Sequence, residues 1–317
     1  MLAGAAGLRG VAWAQPAERV HRVGWIATTG RLQEPYNIAF VQRLHQLGFV
    51  EKRNLLIEFR ATGGQLDRVA GAAAELARTN CDVLVAPGSE ANLIAIKQAS
   101  RDTPIVMVAL DYDPMAKGHV ATLARPGGRI TGVYTLTIEL TAKRLELLKE
   151  LLPNARVIAV LADSSTAGQL QAAEVAARRL RVVLHVHEFK NQPYDYDGAF
   201  AAFARGKADA VLALGSAWFV PGRRVIPELA LKHRLPSMFN NAAWTEARGL
   251  LSYGANLSEM YRRAADKVAA VLKGASPAEI PVEQANVAEL AVNLRTAKAL
   301  GLTIPQSVRL RTDRVIE

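Results

Sequence analysis

From residue 22 onward, short apolar runs alternate with amphipathic stretches of 12 to 16 residues. The runs at 23–27, 55–59, 83–86 and 105–110 predict strands. The stretches at 35–47, 66–78 and 91–99 predict the helices between them. In the second of these, Val69, Ala73, Leu76 and Ala77 fall on one helical face, and Gly48 closes the first. The rhythm then restarts, with helices expected at 140–151, 169–180, 199–205 and 225–232. Strands are expected between them at 156–161, 182–187, 210–214 and 237–239, and a last helix and strand at 261–272 and 290–294. Strands that alternate with helices imply right-handed crossovers and a mostly parallel, doubly wound sheet. Two such series predict an α/β protein with two lobes, each carrying its own sheet.

The turn-rich stretch from Ala124 to Gly132 suits a boundary between lobes, and 249–254 and 280–286 suit two further crossings. The predicted lobes are residues 20–132 plus 252–278, and residues 133–251 plus 279–317. Three crossings between two α/β lobes describe a cleft that opens and closes about hinge strands.

In open parallel sheets, ligands sit beyond the carboxyl ends of the strands, where helix N-termini point free N–H groups into the crevice. The residues at those ends are Thr28 and Thr29, then Ser89, Glu90 and Ala91, then Asp111, Tyr112 and Asp113. The second lobe adds Asp163 and Ser164, Ser216 and Trp218, and Asn240 and Asn241. Small hydroxyl, amide and acid groups interleaved with aromatics suit a cleft for a small polar or aromatic solute. Ser89 is expected to cap a helix while the neighbouring N–H groups meet an anionic group. Asp111 or Asp113 is expected to meet an ammonium, and Trp218 or Trp244 to stack on an apolar body or a cation. The alternative is that each Ser, Asp and Asn merely caps a helix or forms a turn.

Composition narrows the function classes. Lys and Arg number 39 against 29 Asp and Glu, a formal charge of +10. The basic residues are spread, with no run of five, so a solvated basic surface is expected and no nucleic-acid partner. The sole cysteine, Cys81, excludes an internal disulfide and is expected to pack as a small hydrophobe. No stretch of 18 apolar residues occurs. The opening MLAGAAGLRGVAWAQPAE is free of acid until Glu18, and Ala12-Trp13-Ala14 before Gln15 has the A-x-A form that signal peptidase cleaves. Residues 1–14 are therefore expected to be the remnant of a signal peptide, and the mature chain to be periplasmic.

Signatures of enzymes are missing: there is no G-x-G-x-x-G, no P-loop lysine motif, no G-x-S-x-G and no H-E-x-x-H. His185 and His187 share one face of a strand but have no third ligand nearby, and Asp195 and Asp197 are expected to cap the next helix. No cofactor, no metal and no catalytic group are expected.

Several longer stretches, in order, resemble the ABC transporter substrate-binding proteins of the tryptophan/tyrosine type. They are Leu47-Gly48-Phe49-Val50-Glu51 with Asn54-Leu55 and Ile57-Glu58, and Ala121-Thr122-Leu123-Ala124-Arg125-Pro126-Gly127-Gly128 with Thr131-Gly132. Further ones are Lys143-Arg144-Leu145-Glu146-Leu147-Leu148-Lys149, Leu251-Ser252-Tyr253-Gly254-Ala255-Asn256-Leu257 and Pro281-Val282-Glu283-Gln284. The last runs from Asn293-Leu294-Arg295-Thr296 through Gly301-Leu302-Thr303-Ile304-Pro305. The resemblance implies a type I periplasmic-binding-protein fold, no catalysis, and a monomer that captures a solute for an ABC permease in the inner membrane. It implies closure about residues 131–134, 251–253 and 282–283, and a solute such as an aromatic or related amino acid, or a small amide or acid. Ser89, Glu90 and Ala91 fall where the family has a Gly-Thr-Pro-Ala-type loop, and Asp113-Pro114 matches its Asp-Pro. Glu90 replaces a neutral residue there, and Ser216-Ala217 stands where an acid is common, which opens the cleft to cationic or amide-bearing ligands.

Three other readings share the layout. A receptor feeding a signalling partner needs the same cleft. The effector domain of a lactose-repressor-type regulator needs a helix-turn-helix before the first strand, for which the residues before 23 are expected to be too few. A doubly wound enzyme needs a nucleophile with its base, and no such pair stands out.

Overall fold

The computed structural model describes residues 19–28, 34–110, 112–285 and 288–317. The chain opens with β1 (His21–Ala27), α1 (Pro35–Gln46), β2 (Leu55–Ala61), α2 (Arg68–Ala77), β3 (Val83–Gly88), α3 (Glu90–Ala99), β4 (Ile105–Ala109) and β5 (Ile130–Tyr134). It continues with α4 (Thr137–Leu151), β6 (Val157–Asp163), α5 (Ala167–Leu180), β7 (Val183–Phe189), α6 (Tyr196–Arg205), β8 (Ala210–Ala213), α7 (Val225–Lys232), β9 (Ser237–Phe239), α8 (Ala242–Glu246) and β10 (Leu251–Ala255). The remainder is α9 (Leu257–Leu272), β11 (Glu283–Gln284), β12 (Ala288–Asn293), α10 (Leu294–Leu300), α11 (Gln306–Arg309) and β13 (Arg314–Ile316).

These strands form two sheets. The first has the order β11-β5-β4-β3-β1-β2 with every pair parallel, and the second the order β13-β12-β10-β9-β8-β6-β7. Within the second, β12 runs antiparallel to β10, and β13 follows β12. A parallel sheet must be covered on both faces, because its crossover helices lie there. That is why β3, β4 and β5 are buried at every position. The first sheet separates a core around Trp25, Phe40 and Val268 from one around Leu76, Leu93 and Met107. The second separates a core around Leu148, Val160 and Leu212 from one around Phe200, Phe203 and Phe219.

Strand pairing fixes where the chain changes lobe. All of β5 pairs with β4, so residues 133 and 134 stay with the first sheet. All of β10 pairs within the second sheet, so residues 252–255 belong there, and β11 returns to the first beside β5. Each crossing thus falls a few residues beyond the boundary expected from turn content, because each hinge strand pairs in full within one sheet before the chain changes lobe. Helix α9 packs on α1 in the first lobe through Met260, Tyr261, Ala264, Ala265 and Val268, an i, i+3/i+4 stripe.

The hinges are braced by buried polar groups. Arg144 of α4, 1 % exposed, donates from Nε to Tyr253 O at 2.7 Å and from Nη1 to Thr141 Oγ1 at 3.3 Å. Burial pushes its guanidinium down to about 9. Lys267 Nζ reaches Glu283 Oε1 and Pro281 O, each at 2.7 Å, and Thr131 Oγ1 donates to Ile280 O at 2.7 Å. Cys81 packs half-buried against the Leu76–Leu84 core with its sulfur 3.1 Å from Thr79 Oγ1, and burial raises its thiol pKa. Among the described residues, no helix is long and apolar enough to cross a membrane.

Candidate functional site

The carboxyl ends of β1, β3, β8 and β9 face one another across the gap between the lobes and enclose a cavity of about 760 Å3, counting its open mouth. The first lobe supplies Trp25, Thr28, Glu34, Tyr36, Asn37, Gly88, Ser89 and Tyr261; the second supplies Ser216, Val220, Arg223, Asn240, Asn241 and Trp244. Both lobes build the walls, so a molecule held there links them.

Aromatic rings line both sides. Trp25 points into the same layer as Val23 and Ala27 because strand side chains alternate, and its ring lies 4.4 Å from Phe40 and 6.0 Å from Tyr261. Tyr36, in the first turn of α1, meets Tyr261 at 4.7 Å. Burial raises both phenols well above their usual pKa, and for Tyr36 the neighbouring Tyr261 adds to it, so both stay neutral hydroxyls. Trp244 stacks face to face on Phe239, at 5.0 Å and 4°. The buried Trp25 Nε1 has no hydrogen-bond partner among the described residues.

The two serines of the wall differ in what they have left to offer. Ser216 Oγ donates to Asp163 Oδ2 at 2.5 Å and accepts from Trp218 N at 3.0 Å and Ser165 Oγ at 3.3 Å. Its proton goes to Asp163 and a lone pair to Trp218 N, while the Ser165 proton is shared with Asp163 Oδ1, its nearer acceptor at 2.6 Å. Ser89 stands at the N-cap of α3, is 5 % exposed, makes no cap hydrogen bond, and its Oγ has no partner among the described residues. Gly88 before it has φ +87°, a left-handed conformation that turns the chain from β3 into α3. A buried hydroxyl without a partner costs roughly 1–3 kcal/mol unless something in the cavity takes it up. At a helix N-terminus that something is best an anion.

The remaining polar groups are an amide pair and an ion pair. Asn241 caps α8 by accepting from Ala243 N at 3.1 Å, and donates to Asn240 Oδ1 at 3.1 Å. Glu34, at the start of α1, is paired with Arg223 of the opposite lobe.

Of the residues expected at the site, Thr28, Ser89, Ser216, Asn240, Asn241 and Trp244 line this cavity. Thr29 and Asp111 lie outside the described residues, as does the expected signal remnant at 1–14. The other expected residues lie elsewhere. Glu90 turns away to bind His119 Nε2 at 2.8 Å and Lys117 Nζ at 3.2 Å, with Ala91 behind it on α3. Tyr112 is buried in the core beside Met107, and Asp113 accepts from Met115 N and Ala116 N as a turn former. Asp163 is 2 % exposed behind the wall, holding Ser165 and Ser216, and Ser164 is exposed. Trp218 faces a second pocket of about 670 Å3, counting its opening, with Gly64, Gln192, Tyr194, Tyr196 and Pro221. Asp195 does cap α6, accepting from Gly198 N at 2.9 Å. His185 and His187 lean edge-on against Phe203 at 5.4 and 6.2 Å.

Trp25, Glu34, Tyr36, Asn37, Arg223 and Tyr261 also line the cavity, beyond the residues expected there from the strand ends. Trp25 lies inside a strand, and Tyr261 comes from a helix more than 200 residues away in sequence. The cluster Glu34-Pro35-Tyr36-Asn37, polar and aromatic groups around a helix-starting proline, was the available signal.

The fold has solved counterparts. A conserved domain protein from Vibrio cholerae O1 biovar El Tor is 24% identical, with a TM-score of 0.83 over 94% of this chain and 100% of that one. An ABC domain from Streptococcus pneumoniae in complex with L-Trp is 23% identical, with a TM-score of 0.79 over 94% and 100%. A ligand-free, open substrate-binding protein with adhesive properties from Clostridium difficile is 22% identical, with a TM-score of 0.63 over 94% and 99%. At these identities the likeness establishes the type I fold. A comparison with curated proteins found no match. The sequence itself matches the ABC transporter substrate binding protein family over residues 37–316. That family consists of extracytoplasmic binding proteins, not enzymes, which bind small solutes and deliver them to ABC permeases. With almost its whole length matched, this chain belongs to the family of ABC transporter substrate-binding proteins.

Proposed function

We propose that this protein is the periplasmic solute-capturing component of an ABC importer and that its solute is an aromatic or closely related amino acid or acid. The observation that carries the reading is the pairing, in one inter-lobe cavity, of aromatic walls with a buried Ser89 Oγ at the start of α3 that has no partner among the described residues. A carboxylate suits the α3 N-terminus, where Ser89 and the first free N–H groups can donate to it. A flat ring suits the space between Trp25, Tyr36 and Tyr261 on one side and Trp244 on the other. Glu34 and the amides of Asn37, Asn240 and Asn241 offer oxygens to an ammonium or amide. Support also comes from the fold counterpart whose complex holds L-Trp.

Closure about the strands that cross between lobes would bury the solute, and the permease would meet the closed shape. A melting-temperature screen of solute-stripped protein tests this reading. Amino acids, aromatic acids, small amides and purines are compared. A ligand that binds only the folded state raises the melting temperature, so a shift of several degrees with aromatic amino acids or acids is expected. A shift with purines alone, or with none of the four classes, contradicts the assignment. Fractionation of the producing cell should place the mature protein in the periplasm; recovery from the cytosol contradicts export.

A further inference from the structure

Besides the cavity wall, the lobes touch at their far edges. Gly64 follows β2, the last strand of the first sheet, and Gln192 follows β7, the last strand of the second. The hinge segments β5, β11, β10 and β12 lie toward the other side of both sheets. Residues 64 and 192 therefore sit at the lips of the cleft, where a hinge rotation moves the lobes furthest.

At the lips, Gln192 Nε2 donates to Gly64 O. Pro221 presses from the same lobe as Gln192: a Cβ on Gly64 would come within 2.5 Å of Pro221 Cγ and 3.1 Å of its Cδ. The neighbouring Gly63 has a similar φ, +66° against +75°, yet a Cβ there would meet only Arg68 Nη1 at 3.8 Å. Pro221 also belongs to the partition between the two pockets. Along it, Ser216, Val220 and Arg223 line the central cavity, while Trp218, Pro221 and Gly222 line the outer pocket. Anything that fixes Pro221 against Gly64 thus fixes the wall of the central cavity.

We propose that Gly64, Gln192 and Pro221 form a clasp that populates the closed arrangement of the lobes before any solute binds. The clasp uses one hydrogen bond and one close backbone approach, and none of its three residues lines the central cavity, so it forms without a solute. Absence of a side chain at Gly64 is what the approach requires. Gln192 adds a hydrogen bond that water can replace when the lips part, and a bond of that kind shifts a two-state equilibrium by roughly threefold to tenfold.

Nitroxide labels on Asp67→Cys and Asp197→Cys, exposed residues on opposite lips, read the closure directly in a Cys81→Ser background. In the solute-stripped protein, two inter-label distances are expected. Gly64→Ala and Gln192→Ala should each lower the short-distance fraction about threefold or more. Gly63→Ala, which carries the same backbone strain without the lip contact, should leave it unchanged. The proposal is overturned if the parent protein shows the long distance alone. It is equally overturned if Gly64→Ala matches Gly63→Ala, or if Gln192→Ala leaves the distribution as it was. Because no solute enters the measurement, its outcome is separate from that of the ligand screen.

Discussion

Glu34 and Arg223, contributed by opposite lobes, form an ion pair in the wall of the central cavity. The Glu34 side chain is 3 % exposed and the Arg223 side chain 17 %, so the pair is largely withdrawn from water. Removing one member takes away half of a largely buried ion pair, which costs more than removing both. Arg223→Gln or Glu34→Gln alone should weaken solute binding at least about tenfold, or about 1.4 kcal/mol. The double substitution should lose clearly less than the sum of the singles. Calorimetric titration of the four proteins with the solute found by the melting screen closes the cycle; additive losses contradict a direct pair.

Ser89 and Ser216 should respond in opposite ways. Ser89→Ala removes a buried hydroxyl that has no partner among the described residues, so stability in urea should hold or rise while affinity for a carboxylate-bearing solute falls about tenfold or more. Ser216→Ala removes a hydrogen bond to the buried Asp163, so stability should fall by roughly 1–3 kcal/mol with little direct loss of solute contact. Equal behaviour of the two variants contradicts the assignment of Ser89 as the polar anchor.

The Trp244 ring lies flat on Phe239 and faces the cavity. Trp244→Ala should lower the affinity for an aromatic solute at least about tenfold, whereas Trp244→Phe should retain most of it, because a stacked ring contributes through its face. Comparison of dissociation constants for the two variants tests this; equal losses contradict a stacking role.

The double alternation of strand and helix made the two-lobed fold legible, since apolar runs such as Val83-Leu84-Val85 and Ile105-Val106-Met107 have only one use in a protein of this kind. The antiparallel pairing of β12 and the lobe to which each hinge strand belongs were not legible. Ile130–Tyr134 follows a turn-rich stretch that masks it, and Glu283–Gln284 is a two-residue strand that exists only through its partner β5. At the site, the small polar strand ends were legible where the chain leaves a strand toward the other lobe, as at Ser89 and Asn240. They misled at Asp113 and Asp163, where the carboxylate turns back to hold its own loop. No local pattern assigns Tyr261 or Arg223 to the cavity, because packing between distant elements puts them there.

Glu90 carries a pH prediction. Burial pushes its carboxyl pKa up, but hydrogen bonds from His119 and Lys117 outweigh that and hold it below the ordinary 4.5. A carboxylate with a depressed folded pKa contributes stability that is fully present above its unfolded value and lost as pH falls through the folded one. The melting temperature should therefore drop more steeply below about pH 4.5 in the parent protein than in Glu90→Gln, with parallel curves above it. Parallel curves throughout contradict a stabilising role for the cluster.

Solute capture in the inter-lobe cavity is tested most directly by calorimetric titration of solute-stripped protein with aromatic amino acids and aromatic acids, beside Ser89→Ala and Trp244→Ala. Saturable binding of one solute per chain by the parent protein is predicted, weakened about tenfold or more in each variant. Binding that both variants leave untouched, or no binding of any of these solutes, contradicts the assignment of this cavity and its chemistry.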